Sequence, residues 1–414
     1  MARWKPIILW LMPACILIPT LAAADRSLSL EDAVARSLER HPAVIRARNE
    51  VDAARGRRLQ LEVVPNPELS FEALGLPLWK SGGEEFSLGV RQTIEFPGKR
   101  GLRREIGRSG ESQAALELER VRNVVRGRVE SAYFKAAYAQ KRLADFESVL
   151  GTLKEYSELA AERYKTGHVP YLDVVRGRLE SLRLQNEIIE ARRDLREKTG
   201  ALYYVMGDSG YEPIEFSTDI GFSPLGKTLD DLKAAALAGS SMRLRGDRFR
   251  QAGLALALAR KAGLPDFSLG LFLPSKMLGG WGIEVGMTLP VFRKGIQGMA
   301  IEAEVMSRQA ALDSDGTVRR VVLVVESAYA EALSLEEQIG LFRDSLLRDV
   351  EESLKASLIN YQYGKSDALG VLDIVRSLKE TRTEFARALL NHRLALIEIA
   401  AAGEDEELAA GYGN

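Results

Sequence analysis

The chain has 414 residues, 46% of them hydrophobic and 28% charged, a composition that folds and excludes an intrinsically disordered chain. Its formal charge of −1 excludes a global field that would collect nucleic acid or anionic lipid.

Residues 1–24 read as an export signal. Arg3 and Lys5 give a positive start, an apolar run follows from Ile7 to Leu21, and Ala22-Ala23-Ala24 offers a cleavage site before Asp25. Pro13 and Pro19 weigh against a membrane anchor. The only cysteine, Cys15, lies inside this signal. Ala14 before it leaves lipidation open, whereas Met12-Pro13 and the apolar run beyond it argue against that. Cleavage after Ala24 leaves a mature chain with no disulfide, thiol nucleophile or thiolate metal site. Past the signal there is no run of about 18 apolar residues, so no membrane helix is expected. A closed β-barrel also spans a bilayer, and its signal is alternation.

The rest reads as a duplicated unit. Val129-Glu130-Ser131-Ala132-Tyr133 returns as Val325-Glu326-Ser327-Ala328-Tyr329, at an offset of roughly 195–199 residues shared by the other matches. Those are Ser29-Leu30-Glu31-Asp32 with Thr228-Leu229-Asp230-Asp231, Pro67-Glu68-Leu69-Ser70 with Pro265-Asp266-Phe267-Ser268, and Tyr164-Lys165-Thr166-Gly167 with Tyr361-Gln362-Tyr363-Gly364. The expected organisation is a first repeat over 25–210, a linker over 211–227 containing Pro213, Gly221 and Pro224, a second repeat over 228–403, and an acidic tail over 404–414. Each repeat opens with one helix, Leu30 to Val63 and Leu229 to Ala262, ended by prolines at Pro65 and Pro67 and at Pro265.

Two strands then follow in each repeat. Phe86, Leu88, Val90, Ile94 and Phe96 alternate with Ser87, Gly89, Arg91, Thr93 and Glu95, with Gln92 the one break. Ile283, Val285, Met287, Leu289 and Val291 alternate with Glu284, Gly286, Thr288 and Pro290. An oily face and a polar face suit a barrel wall between lipid and water. Leu69 to Ala73 and Phe267 to Leu271 are the partner strands. Trp79 and Trp281, in the turns, suit the membrane interface. Two ordinary hairpins on a soluble domain are the competing reading. Four strands cannot close a barrel, and open edges cannot sit in lipid, so strands in a membrane require an oligomer. A trimer supplies twelve.

After Gly98 the period changes to about 3.5, as in a coiled-coil seam through Leu118, Val125, Val129, Ala136, Leu143, Leu150 and Leu153. Gly98 to Tyr164 as one helix spans about 100 Å, weakened locally at Gly107, Gly110 and Gly127. A second copy of similar length runs from Gly295 to Tyr361. Shorter helices return from near Tyr171 and Asp367.

These features resemble the TolC family of outer-membrane efflux proteins. The resemblance rests on Pro65-Asn66-Pro67-Glu68-Leu69-Ser70-Phe71-Glu72, Gln92-Thr93-Ile94-Glu95 with Gly98-Lys99-Arg100, Tyr164-x-x-Gly167 with Asp173-Val174, and Tyr361-x-x-Gly364 with Val371-Leu372-Asp373. The first two are most similar to the heavy-metal cation branch. The resemblance implies a mainly α fold with a small β part: a long coiled-coil barrel plus four strands per protomer in a trimeric twelve-stranded outer-membrane barrel. It implies a homotrimer in outer-membrane lipid, a periplasmic adaptor and a proton-driven inner-membrane pump.

By the same resemblance, Asp373 contributes to an aperture ring, Gly370 stands where an acidic residue is often found, and Asp173 and Tyr361 tie neighbouring tip helices. A ring of carboxylates would favour cations. A solvated carboxylate at Asp373 and a packed Tyr361 remain open. Tyr164, Lys165, Gly167, Tyr361, Gly364 and Lys365 fall at the tips that meet the adaptor, and a solvated loop explains Lys165, His168 and Lys365 equally well. Lys99-Arg100 and Arg293-Lys294 are expected to anchor at the interface, and Pro97 and Pro290 to help the strand-to-helix swivel.

His41, His168 and His392 are scattered without ligand spacing, and no phosphate loop or catalytic motif is present. No cofactor, resident metal or nucleic-acid partner is expected, and no enzyme. The leading expectation is a passive duct of a tripartite efflux system for heavy-metal cations. A duct for small organic compounds or secreted polypeptide, and a soluble periplasmic coiled-coil scaffold, are the alternatives.

Overall fold

The alternation over residues 68–94 and 267–287 does form strands, and the elements around them follow from local chemistry. The computed structural model describes residues 27–74, 85–208, 210, 214–274 and 280–403. The export signal with Cys15, Trp79 and the acidic tail lie outside the described residues.

Strand β1 (Ser27–Leu28) leads into helix α1 (Leu30–Arg40), capped by the Ser29 hydroxyl, which accepts the Asp32 N–H at 3.1 Å. The single helix expected to Val63 is instead two. Proline disfavours helical backbone in the residue before it, and His41 is extended, at φ −63 and ψ 126. The chain restarts as α2 (Pro42–Glu62), with His41 Nδ1 accepting the Ala43 N–H at 3.1 Å. Strands β2 (Glu68–Leu74) and β3 (Glu85–Ile94) follow, then α3 (Lys99–Lys165), unbroken over 67 residues. The glycines expected to weaken α3 are points of close approach: Gly107 faces Arg58, Gly110 faces Gln251, and Gly127 faces Ile397 and Ala401. Helix α4 (Tyr171–Met206) returns alongside α3.

The segment expected as a plain linker carries a strand, β4 (Glu215–Phe216), parallel to β1. The second expected helix also splits, at Gly239 (φ −66, ψ 170), into α5 (Leu229–Ala238) and α6 (Ser240–Lys261). Strands β5 (Phe267–Pro274) and β6 (Gly282–Met287) come next. Strand β6 is shorter than the alternation to Val291 suggests. Thr288 donates its N–H to Asp266 O at 2.8 Å, and beyond it Pro290 has no N–H to extend a ladder. Helix α7 (Arg293–Leu341) continues through a π-helical turn, Phe342–Leu346, into α8 (Leu347–Gln362). The second long helix therefore differs from the first, which has no such turn. Helix α9 (Ala368–Gly403) completes the described chain.

The four strands form one antiparallel sheet in the order β2-β3-β5-β6. Its register aligns Leu69, Val90, Leu271 and Ile283 in a row, with Phe71, Leu88 and Leu273 in another. All seven side chains are exposed in the protomer. The opposite face aligns Glu68, Arg91, Gly270 and Glu284, and Arg91 reaches across Gly270 to Glu284 at 2.6 Å. A wall with one oily and one charged face has formed, and its two outer edges have no partner strand among the described residues.

Lys99 is not an interfacial anchor. It is buried at the base of the sheet, with Nζ 2.9 Å from Asp266 Oδ1 and donating to Leu264 O at 2.8 Å. Asp266 also accepts the Phe96 N–H at 2.7 Å, so this ion pair fixes the strand-to-helix turn of one repeat to the strand start of the other. Arg100 donates to Glu62 O, while Arg293 and Lys294 are exposed.

Below the sheet α2 packs on α3, α3 on α6 and α6 on α7, while further down α3 packs on α4 and α9. At mid-height Tyr133, fully buried, donates to Leu28 O at 2.7 Å and accepts the Thr218 N–H at 3.1 Å. One phenol thus holds both strands of the β1–β4 pair. Glu130, one turn earlier, is also buried, near Arg126 and Arg393. Burial pushes its carboxyl up to about 7, against the two arginines. The folded chain therefore holds a proton that the unfolded chain releases near 4.5, and stability falls as pH rises from there through about 7. Glu130→Gln should abolish this slope and exceed the wild type by about 2–4 kcal/mol at pH 8. Thermal unfolding in detergent at pH 5 and pH 8 measures it; an unchanged slope would assign the titration elsewhere.

Candidate functional site

The site lies at the tips of the two helical hairpins, far from the sheet. Both tips close by the same backbone device. In the first, Gly167 N–H donates to Tyr164 O at 3.0 Å and His168 N–H to Arg163 O at 2.9 Å; in the second, Gly364 N–H donates to Tyr361 O at 3.1 Å and Lys365 N–H to Asn360 O at 2.8 Å. This is the Schellman helix ending, which needs a left-handed residue after the cap. Gly167 has φ 75 and Gly364 φ 76. Tyr164, Lys165, Gly167, His168, Gly364 and Lys365 are all exposed. The Tyr164 and Tyr171 rings lie 5.3 Å apart across the first turn.

Just above the tips, Asp173 and Tyr361 come together inside the protomer. Both are buried, and the Tyr361 hydroxyl donates to Asp173 Oδ2 at 3.4 Å, a long bond. The tie and the packing expected of Tyr361 coexist in the protomer, because its ring also packs on Tyr156 at 5.2 Å between centroids, whereas the adaptor contact also expected of it is closed to a side chain only 1% exposed. Burial raises its phenol above the usual range. The Arg163 guanidinium lies 5.0 Å over the same ring and donates to Tyr361 O. Arg176 stands 3.9 Å from Asp173 on the next turn of α4.

Asp373 lies apart from this cluster, exposed on α9. It stands one turn before Arg376, which feels its charge. Arg376 forms a two-pronged bond to Glu180 on α4, with both contacts at 2.8 Å. That bond is the first cause holding the Glu180 carboxyl below its usual range. Lys379 reaches Glu187 on α4 at 2.9 Å. The two returning helices are therefore joined by ion pairs, whereas the deeper contact between the hairpins is aromatic. Gly370 donates its N–H to Asp367 Oδ1 at 2.9 Å, at the start of α9.

The histidines have separate duties. His41 caps α2, His168 is exposed with Nδ1 2.8 Å from the Thr166 hydroxyl, and His392 is buried 3.3 Å from Glu336. Burial lowers the His392 pKa despite Glu336, which favours neutral imidazole. Among the described residues no group of three or more His, Cys, Asp or Glu side chains is placed to hold a metal ion.

Sequence reasoning missed Arg163, Tyr156, the Glu180–Arg376 pair and Gly177. Gly177 carried a readable signal, because glycine inside a helix weakens it unless something must come close. A Cβ there would lie 2.8 Å from the Tyr156 ring and 2.9 Å from the Ser157 hydroxyl. Gly177→Ala should displace Tyr156 from Tyr361 and cost about 1–3 kcal/mol. Amide hydrogen exchange should then quicken at both tips and remain unchanged near Tyr133. Unchanged exchange at Tyr361 would mean that the cluster tolerates the extra methyl.

The model for the outer membrane efflux protein family matches residues 33–208 and 248–403. The cobalt-zinc-cadmium resistance protein CzcC of Cupriavidus metallidurans is 23% identical over 355 residues, covering 83% of this chain and 82% of CzcC. Among solved structures, CusC superposes with a TM-score of 0.75 at 20% identity, over 91% of this chain and 92% of CusC. The outer membrane protein VceC of Vibrio cholerae superposes with a TM-score of 0.73 at 17% identity, over 90% and 95% of the two chains. At these identities the solved structures establish the fold, a helical barrel joined to a β-barrel wall. With its oily sheet face, long helical hairpins and family match over both halves, this chain belongs to the outer membrane efflux protein family and is an outer-membrane export channel subunit with a large periplasmic portion.

Proposed function

We propose that the chain acts as a homotrimeric passive duct for divalent heavy-metal cations in a tripartite system with a periplasmic adaptor and a proton-driven inner-membrane pump. The observation that carries the cargo is the similarity to CzcC along most of both chains. The trimer is supported by the sheet, whose two open edges and oily face cannot be satisfied by one copy. The soluble-scaffold alternative is disfavoured by the same face.

In this reading the tips carry two functions. Tyr164, Lys165, Gly167, Gly364 and Lys365 are the exposed surface that meets the adaptor. Asp173 and Tyr361 hold the two hairpins together near the aperture, and their long hydrogen bond is a modest restraint suited to a gate that must open. Asp373 supplies the aperture charge. Arg376 beside it is already engaged by Glu180, which leaves the Asp373 carboxylate facing solvent. Cations would pass without being retained, because a single carboxylate per copy is a weak ligand.

Deleting the gene from its host should lower tolerance to zinc, cobalt and cadmium salts several-fold and leave tolerance to organic dyes and detergents unchanged. The wild-type chain should restore growth, and Asp373→Ala should restore it only in part. Sensitivity to the organic compounds alone would replace the metal cargo with an organic one.

A further inference from the structure

Just below the sheet a groove of about 490 Å³ lies over α6, between α3 and α7. Its floor is apolar, made by Ile106, Ala255, Leu258 and Ala259. Its upper wall is charged but already paired, Lys99 with Asp266 at 2.9 Å and Arg103 with Glu95. The lower wall is α7, which contributes Met299, Glu302, Ala303 and Met306. We propose that Met299, Glu302 and Met306 form a binding site for a soft, thiophilic monovalent cation, held by thioether sulfur and one carboxylate oxygen. The site lies within one copy and stands apart from the divalent-cargo reading above.

Spacing puts the three side chains on one face of α7. Glu302 follows Met299 by three residues and precedes Met306 by four. Each thioether therefore stands one turn from the carboxylate, with Cβ atoms about 5–6 Å apart. Between them Ala303 is buried against the protomer, which turns this face of the helix into the groove. Methionine commonly fills gaps in a core. These two do not, because Met299 is 47% exposed and Met306 53%. Two large apolar side chains are thus left in water beside a carboxylate that has no ion-pair partner among the described residues. The next acid along the helix, Glu304, is by contrast held by Arg308 at 2.6 Å.

Ligand type and charge select the cation. Thioethers are neutral, polarisable ligands that favour soft ions, whereas imidazole suits zinc. No imidazole lines the groove, and its other carboxylates, Glu95 and Asp266, are neutralised by Arg103 and Lys99. One free carboxylate balances one positive charge, so a monovalent ion is neutral in the site and a divalent ion is not. Carboxylates and imidazoles alone make no metal site among the described residues, and sulfur supplies here what they lack. Position adds a role. On the charged face of the sheet Arg91 opposes Gly270 and Thr93 opposes Ser268, and Glu95 and Asp266 continue those two series. The groove therefore opens beneath the charged face. In the proposed trimer that face lines the lumen, and three such sites would ring the foot of the barrel; that placement alone rests on the trimer reading.

The test uses the full chain extracted in mild detergent, with silver(I) nitrate as the probe in chloride-free buffer. Equilibrium dialysis should find bound silver that the double variant Met299→Leu with Met306→Leu loses and Glu302→Gln weakens. Because the readout is the difference between parent and variant, silver held elsewhere on the chain cancels. Leucine conserves the volume of methionine, so thermal unfolding of the double variant should match the parent. In spectra of chain labelled at its methionine methyls, silver should shift the resonances that are missing from the double variant. Zinc(II) and cobalt(II) in large excess should not displace it. Silver bound equally by parent and double variant would overturn the site, as would no silver bound at all. Displacement by zinc(II), with loss only in Glu302→Gln, would overturn the sulfur ligands in favour of a plain carboxylate. Each of these failures leaves the divalent cargo standing, because its own test reads growth.

Discussion

A backbone N–H or C=O facing hydrocarbon has no water to bond, so a strand in a bilayer must have a neighbour on both sides. The rest of this chain follows from that constraint. Each copy supplies four strands, arranged so that an oily row crosses the whole sheet from Leu69 to Ile283. Such a sheet is neither a soluble domain nor a finished membrane protein. Its open edges would make assembly part of folding, and in the proposed trimer the charged face carrying Arg91 and Glu284 would line the inside of the wall.

The wall must then be joined to helices without fraying. Lys99 and Asp266 meet that demand, because one buried ammonium and one carboxylate collect the Phe96 N–H and the Leu264 carbonyl as well as each other. Breaking such a pair typically costs about 3–5 kcal/mol when one charge is left buried alone. Lower down, Tyr133 performs the corresponding task for the short β1–β4 pair. The first junction lies where the two repeats meet, and the second ties the first repeat to the linker. The tips are held more lightly, by aromatic packing, a long phenol–carboxylate bond and solvent-exposed ion pairs. Rigidity at the membrane and looser closure at the far end suit the proposed gate at the tips.

Period and punctuation made much of this legible in the sequence. A barrel wall imposes a period of two, so Phe86 to Ile94 and Ile283 to Met287 could be read directly. A long helix imposes its own period, and Gly167 and Gly364 marked its turns because a left-handed residue was required. The helix breaks were present in the sequence but were overridden by the apolar pattern: Pro42 forbade a helical His41, and the pattern continued past it. The roles of Lys99, Tyr133 and Arg376 were not legible. Their partners, Asp266, Leu28 and Glu180, are more than a hundred residues away and belong to no local pattern. Likewise, the alternation at Leu289 and Val291 carried on past the last residue able to pair.

The central claim is that closing the wall requires three copies. The most direct measurement is the native mass of the channel extracted from outer membranes in mild detergent. The account predicts three chains per particle, with no folded monomer in the soluble periplasmic fraction. A soluble, folded single chain would contradict it, because a monomer could not hide both strand edges and the oily face.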